Sequence, residues 1–303
     1  MLRTTLLAMS RQVWLRNWMQ NSRSAAGLTS RFVAGRTLDQ ALSVCRKIEQ
    51  DGILFTLDHL GENVHSVEEA ASSRDDYLKA LAGIADSQLR GTVSVKLTQM
   101  GLDISDQQGE ANVGALADLA SRNGTRVEID MESSEYVDRT LSIVFRLHQR
   151  HGNVRAVIQS YLHRSDADIG KLNQSRVPVR LVKGAYDEPP SVALAAKVDV
   201  DRAFSRQMRS LLTEGVDPAL ATHDEKLIRE AIEFSRQKGI AADSFEFQML
   251  YGIRRDLQRE LVAKGYRLRL YVPYGDAWYP YFMRRLAERP ANMWFIVRNL
   301  LRT

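Results

Sequence analysis

Val177-Pro178-Val179-Arg180-Leu181-Val182, followed by Lys183-Gly184-Ala185-Tyr186, sets the reading of the whole chain. The run is short, β-branched and apolar, which suits a strand. It closes on groups able to do chemistry, Lys183 and then Tyr186. Arg180 stands inside the run. A cation pointing into a barrel is costly unless it is paired, and the competing arrangement turns Arg180 outward with its head in water.

Seven other runs have the same form: Ile53–Leu57, Thr92–Leu97, Arg126–Ile129, Val154–Ile158, Pro218–Ala221, Ser244–Phe247 and Leu268–Val272. Helix-period segments lie between them, over 74–84, 113–122, 134–151, 200–214, 225–238 and 250–264. Alternation of this kind predicts parallel βαβ units. Eight units in about 250 residues is the size of a (β/α)8 barrel. The first strand is not followed by a Gly-rich GxGxxG turn, which disfavours a dinucleotide-binding sheet. The expectation is an α/β chain, a (β/α)8 TIM-like barrel over 39–303 with extra N-terminal helices in a segment over 1–38.

Polar groups gather where the strands close: Asp58 and His59, Lys96, Asp130, Gln159 and Tyr161, Lys183 and Tyr186, Thr222 and His223, Glu246 and Gln248, and Tyr271. Barrel active sites are built at the carboxyl ends of strands. One such residue alone reads as a strand-end cap, but eight strands doing it together point to a shared pocket. Individual assignments stay open at this level. Lys96 fits a Schiff-base lysine, an anion clamp or an ion-pair partner, and Asp130 fits a metal ligand, a base or the counter-ion of Lys96. His223 fits a ligand or a helix cap.

Near the C-terminus, Tyr271-Val272-Pro273-Tyr274-Gly275 runs into Asp276 and a short helix that Pro290 stops. Tyr281, Arg284, Arg285 and Glu288 share one stripe of that helix, and Tyr279, Phe282, Met283 and Leu286 the other. Two adjacent guanidinium forks suit a carboxylate or phosphate. A solvated basic face with an Arg284–Glu288 pair is the plainer alternative.

The composition is that of a globular protein, with 303 residues, 44% hydrophobic and 26% charged. Cys45 is the only cysteine, so there is no intrachain disulfide and no cysteine metal cluster. No apolar run is long enough to span a bilayer. Residues 1–38 hold six arginines and no acid, more than the entire net charge of +5. Mixed with the Leu, Trp and Met of residues 1–20, these arginines suit outer helices, a helix lying on anionic lipid, or a transit peptide; a retained helical segment that also touches membrane is the favoured reading.

Four motifs then carry a resemblance: Arg180-Leu181-Val182-Lys183-Gly184-Ala185-Tyr186, Ser94-Val95-Lys96-Leu97, Phe245-Glu246-Phe247-Gln248, and the Arg284-Arg285 helix with its trailing Glu288. Together they resemble the proline dehydrogenase family in its single-function bacterial form, from about Phe32 onward. The resemblance implies an FAD-dependent barrel that oxidises L-proline to Δ1-pyrroline-5-carboxylate and passes electrons to a membrane quinone. It implies a cytoplasmic protein with peripheral contact at the inner face of the plasma membrane, no metal and no nucleic-acid partner. By motif, Lys96, Arg284 and Arg285 would hold the substrate carboxylate, and Tyr186, Leu250, Tyr271 and Tyr281 would wall the ring. Asp130 would orient the charged groups, Glu288 trails the arginine pair, and Glu62 would pair with Arg284 to close the site. Arg180 would lie over the flavin. Gln159, Tyr161, Val182, Lys183, Gly184, Thr222, His223 and Glu246 would line the FAD. Tyr271, in place of a smaller residue, suggests proline rather than hydroxyproline. The interval from Gly275 to Tyr281 suits the single-function enzymes. Two rival readings remain: a metal-dependent or Schiff-base barrel using Lys96, Asp130, His223 and Glu246, and a membrane-surface module driven by the basic N-terminus.

Overall fold

Strands and helices alternate along the whole described chain. The computed structural model describes residues 30–61, 64–279 and 281. In order, the elements are α1 (Leu38–Gln50), β1 (Leu54–His59), α2 (Val67–Asp86), β2 (Gly91–Lys96), α3 (Asp106–Arg122), β3 (Val127–Asp130), a 3-10 turn (Ser134–Tyr136), α4 (Val137–His151), β4 (Val154–Gln159), α5 (Ser165–Gln174), β5 (Val179–Val182), α6 (Lys197–Glu214), β6 (Ala219–Ala221), α7 (Glu225–Gln237), β7 (Glu246–Leu250), α8 (Arg255–Ala263) and β8 (Arg267–Tyr274). All eight strands are parallel, and β1 pairs with β8 to close the barrel. The fold is therefore the expected (β/α)8 barrel. The N-terminal helices expected in residues 1–29 lie outside the described residues.

All eight expected runs form strands, with boundaries displaced by no more than three residues. The largest displacement is in β7, which continues to Leu250 because Met249 and Leu250 pair with Leu270 and Tyr271. The helix expected from Leu250 thus begins only at Arg255, after Gly252 and Arg254 in left-handed conformations. Helix starts follow capping chemistry. Thr37 and Gln40 form a reciprocal capping box on α1, and the side chains of Ser66, Ser105 and Asp224 cap α2, α3 and α7.

The main apolar core lies between barrel and helices, where Leu57, Leu81, Leu116, Ile143, Phe204 and Phe247 are almost fully buried. The barrel lumen is different. Thr56, Ser94, Glu128, Arg155, Arg180, Glu246, Gln248 and Arg269 are buried polar groups on its strands. Residues 32–34, just before α1, pack on the barrel. Phe32 and Val33 are buried, and the Ala34 N–H donates to the Pro273 carbonyl.

Candidate active site

Side chains two apart on a strand face the same way, and this places two tiers of charge inside the barrel. Ser94 and Lys96 on β2 lie in register with Glu128 and Asp130 on β3. The upper tier is built on Lys96. Its Nζ is 3.2 Å from Asp58 Oδ1 and 3.5 Å from Asp130 Oδ2, and it donates to the Tyr271 hydroxyl at 3.4 Å. Tyr271 in turn donates to Asp130 Oδ2 at 2.7 Å. Asp58 is nearly fully buried and Asp130 mostly so, while the Lys96 side chain keeps 31% exposure, which makes Lys96 the most exposed of these three charged groups.

Arg180 joins the two tiers. It is buried and points inward, so the outward, snorkelling arrangement is excluded. One terminal nitrogen donates to Asp130 Oδ1 at 2.8 Å and to Ser94 Oγ at 3.1 Å; the other is paired with Glu128. Its guanidinium also sits 5.5 Å from the centre of the Tyr271 ring. Below it, Glu128 and Glu246 share Arg155, at 3.3 and 2.6 Å, and Arg269 closes on Glu246 at 2.9 Å. Asp217 binds Arg126, Arg155 and Arg267 at the amino end of the barrel.

The electrostatics follow from this pairing. Burial opposes the charge on Lys96, but Asp58 and Asp130 outweigh it and hold the ammonium above its ordinary range. Burial likewise opposes ionisation of Asp130, and Lys96 and Arg180 overcome it, so the carboxyl stays below its usual range. Burial and then the Asp130 charge push the Tyr271 phenol well up. The upper tier is therefore a fixed arrangement of ammonium, guanidinium, two carboxylates and a protonated phenol.

A second group lines the carboxyl ends of β4 to β7. Gln159 ends β4 and donates through Nε2 to the Met131 carbonyl at 3.3 Å. Tyr161 is buried, its hydroxyl pushed up to about 12 by burial and then by Glu188. Gly184 takes φ +111°, and a Cβ there would meet the Tyr161 ring at 2.3 Å. Val182 ends β5, and Lys183 next to it is gripped by Asp201 and Asp224 at 2.5 and 2.7 Å. Thr222 accepts from the Asp224 N–H, and His223 Nε2 accepts from the Leu250 N–H at 2.9 Å. Tyr186 is exposed in the loop after β5, and Tyr281 is buried just beyond β8.

Glu246 is the correction. It opens β7 instead of closing it, has no exposure, and is held by Arg155, Arg269 and Gln248. The strand is five residues long, which puts Glu246 about 13 Å from the end that carries Leu250. It belongs to the barrel floor and not to the rim where the expected pocket lies. Glu62, Arg284, Arg285 and Glu288 lie outside the described residues. Ser94 and Glu128 are members of the cluster that were not among the expected site residues. The available signal was alternation, since they stand two residues before the site candidates Lys96 and Asp130 on their own strands.

The proline dehydrogenase family profile matches residues 41–298. The chain belongs to the proline dehydrogenase family. Proline dehydrogenase 2 of Bacillus subtilis is 40% identical over 285 residues, covering 94% of this chain and 92% of that protein. Proline dehydrogenase of Deinococcus radiodurans is 41% identical over 281 residues, covering 91% and 90%. Among solved structures, proline utilization A of Bdellovibrio bacteriovorus, inactivated by N-propargylglycine, superposes with a TM-score of 0.82 at 26% identity. That match covers 87% of this chain and 33% of the other, so the family barrel here spans about a third of that longer protein. As a proline dehydrogenase, the chain is an oxidoreductase of proline metabolism, with its charged cluster on the face where such barrels work.

Proposed function

We propose that the chain binds L-proline over the Lys96 tier and oxidises it to Δ1-pyrroline-5-carboxylate with a bound FAD, electrons leaving for a membrane quinone. The observation that carries this reading is the Lys96 cluster, in which a partly exposed lysine, its ammonium held above its ordinary range by two carboxyl groups, stands at the barrel mouth beside Tyr271. Two carboxylates already lean on Lys96, so one ammonium does not make a net anion site. The reading therefore includes Arg284 and Arg285, whose motif assigns them to the substrate carboxylate, with Glu62 pairing to Arg284. Tyr186, Leu250, Tyr271 and Tyr281 wall the ring in this reading.

The residues at the carboxyl ends of β4 to β6 fit a flavin. Gln159 Oε1, Ser160 Oγ and Arg180 Nε are buried and meet no hydrogen-bond partner within the protein. Buried polar atoms of this kind are ordinarily satisfied, and a planar heterocycle rich in donors and acceptors supplies the missing partners. Gln159, Arg180, Lys183, Thr222 and His223 would hold it, with Gly184 keeping the backbone low beside Tyr161. FAD, when bound, accepts the hydride that leaves the substrate carbon next to nitrogen. The protein's part is orientation: cations fix the carboxylate and aromatic walls fix the ring, which removes most of the freedom of the reacting pair. Membrane contact at the inner face of the plasma membrane is proposed for the arginine-rich residues 1–20.

The Schiff-base alternative loses support. Lys96 is held protonated, whereas a nucleophilic lysine needs a depressed pKa. The metal alternative loses support as well. His223 is engaged by Leu250, Glu246 is on the opposite end of β7, and among the described residues no three His, Cys, Asp or Glu side chains form a metal-ligand group. The test is reduction of a short-chain quinone by the purified, FAD-supplemented protein. Reduction that depends on L-proline is expected; quinone reduction that ignores proline would sink the reading.

A further inference from the structure

We infer that Glu128 and Ser94 are positioning residues for the reaction: they set the orientation of Arg180 from below and thereby keep Asp130 on Lys96 and Tyr271. Neither faces the rim. Both are fully buried and lie opposite each other in register on β2 and β3.

Arg180 has two terminal nitrogens, and each is assigned. One is paired with Glu128; the other donates to Asp130 Oδ1 and Ser94 Oγ. Ser94 Oγ donates a hydrogen bond to the same Asp130 oxygen at 2.8 Å, so the hydroxyl bridges the guanidinium and the carboxylate that already meet directly. Asp130's other oxygen is left for Tyr271 and Lys96. Glu128 is itself held, accepting from Thr92 Oγ1 at 3.1 Å and from Arg155 at 3.3 Å. A carboxylate braced on several sides in a dry interior does not swing, so the guanidinium it holds does not swing either.

Loss of the Glu128 charge has a defined consequence. Asp130 is the other carboxylate with which Arg180 is ion-paired, and that aspartate is shared with the substrate tier. Drawing Asp130 toward Arg180 weakens the Tyr271 hydrogen bond and the counter-charge on Lys96. Displacements of this size at the base of a site cost catalysis without touching the substrate.

The inference rests on the flavin reading of Arg180, and the experiment separates the two. Wild type, Glu128→Gln, Ser94→Ala and Asp217→Asn are compared by thermal melting, by kcat and KM for L-proline, and by the reduction potential of the bound flavin. Asp217 serves as the control, since it anchors three arginines at the other end of the barrel. Glu128→Gln is expected to lower kcat/KM about tenfold or more, with KM raised, because Asp130 is misplaced. It is also expected to raise the flavin potential, because a buried negative charge is gone. Ser94→Ala is expected to lower kcat roughly tenfold, on the order of one lost hydrogen bond to a charged group, while the protein still folds and melts cooperatively. Asp217→Asn should lower the melting point and leave kcat, KM and potential at wild-type values. Kinetics and potential of a folded Glu128→Gln matching wild type would overturn the inference. If Glu128→Gln does not fold, wild-type kcat in Ser94→Ala overturns it. A wild-type protein without flavin bands would instead strike at the flavin reading itself.

Discussion

Tyr271 shows how much chemistry one residue carries here. Its ring lies under Arg180, and its hydroxyl donates to Asp130 at 2.7 Å while accepting from Lys96. Tyr271→Phe keeps the ring and removes only the hydroxyl. A hydrogen bond to a charged group is worth roughly 1.5–3 kcal/mol, so kcat/KM for proline should fall roughly tenfold or more. Unchanged steady-state kinetics would mean that the phenol is a spectator. At this scale the sequence was uneven as a guide. Lys96, Asp130 and Tyr271 were legible because each closes or nearly closes an apolar run. Glu246 misled for the same reason in reverse: Phe245-Glu246-Phe247-Gln248 looks like a strand end until β7 is seen to continue to Leu250. Asp58 was legible as a strand-end group, but its pairing with Lys96 is a cross-strand fact that no single run contains.

At the scale of elements, two predictions concern backbone and burial. Gly184 sits at the β5 exit with φ +111°, under the Tyr161 ring. Gly184→Ala forces both a conformation that L-residues avoid and a clash with ring carbons at 2.3 Å, a strain of order 1–3 kcal/mol. The β4 and β5 exits should splay, and FAD titration should show weaker binding; wild-type affinity would show that this turn is not part of the cofactor cradle. On the floor, Arg155 has no exposure and holds Glu128, Glu246 and Asp217 together. Arg155→Met leaves buried carboxylates short of a cation and should destabilise the fold by about 3–5 kcal/mol, read from denaturant unfolding. A midpoint within error of wild type would remove the floor network from the stability account. Strand and helix existence were legible because each element's period is local. Boundaries were not, because β7 is lengthened by its partner β8 and α8 is delayed by the left-handed Gly252 and Arg254.

For the molecule as a whole, the lumen is a continuous set of ion pairs from Asp217 at the amino end to Lys96 at the mouth. Glu128, Asp130, Asp217 and Glu246 all have carboxyl pKa values below their ordinary range; burial opposes this in each case and neighbouring cations override it. A depressed folded pKa stabilises the fold above the unfolded-chain value and ceases to do so as pH falls through the folded one. Thermal stability should therefore be level just above about pH 4–5 and fall steeply below it; a melting midpoint flat down to pH 3 would contradict the network. The barrel could be read from the eightfold alternation, whereas the polar lumen could not, since which face of a strand turns inward depends on closure. Whether Lys96 and its partners present proline to a flavin is read by anaerobic addition of L-proline to the FAD-loaded wild type and to Lys96→Ala, followed by visible absorption. Yellow flavin bands are expected in both, bleached by proline at low concentration in the wild type and only at far higher concentration in the variant. Bleaching at the same proline concentration in both proteins would contradict that role of Lys96.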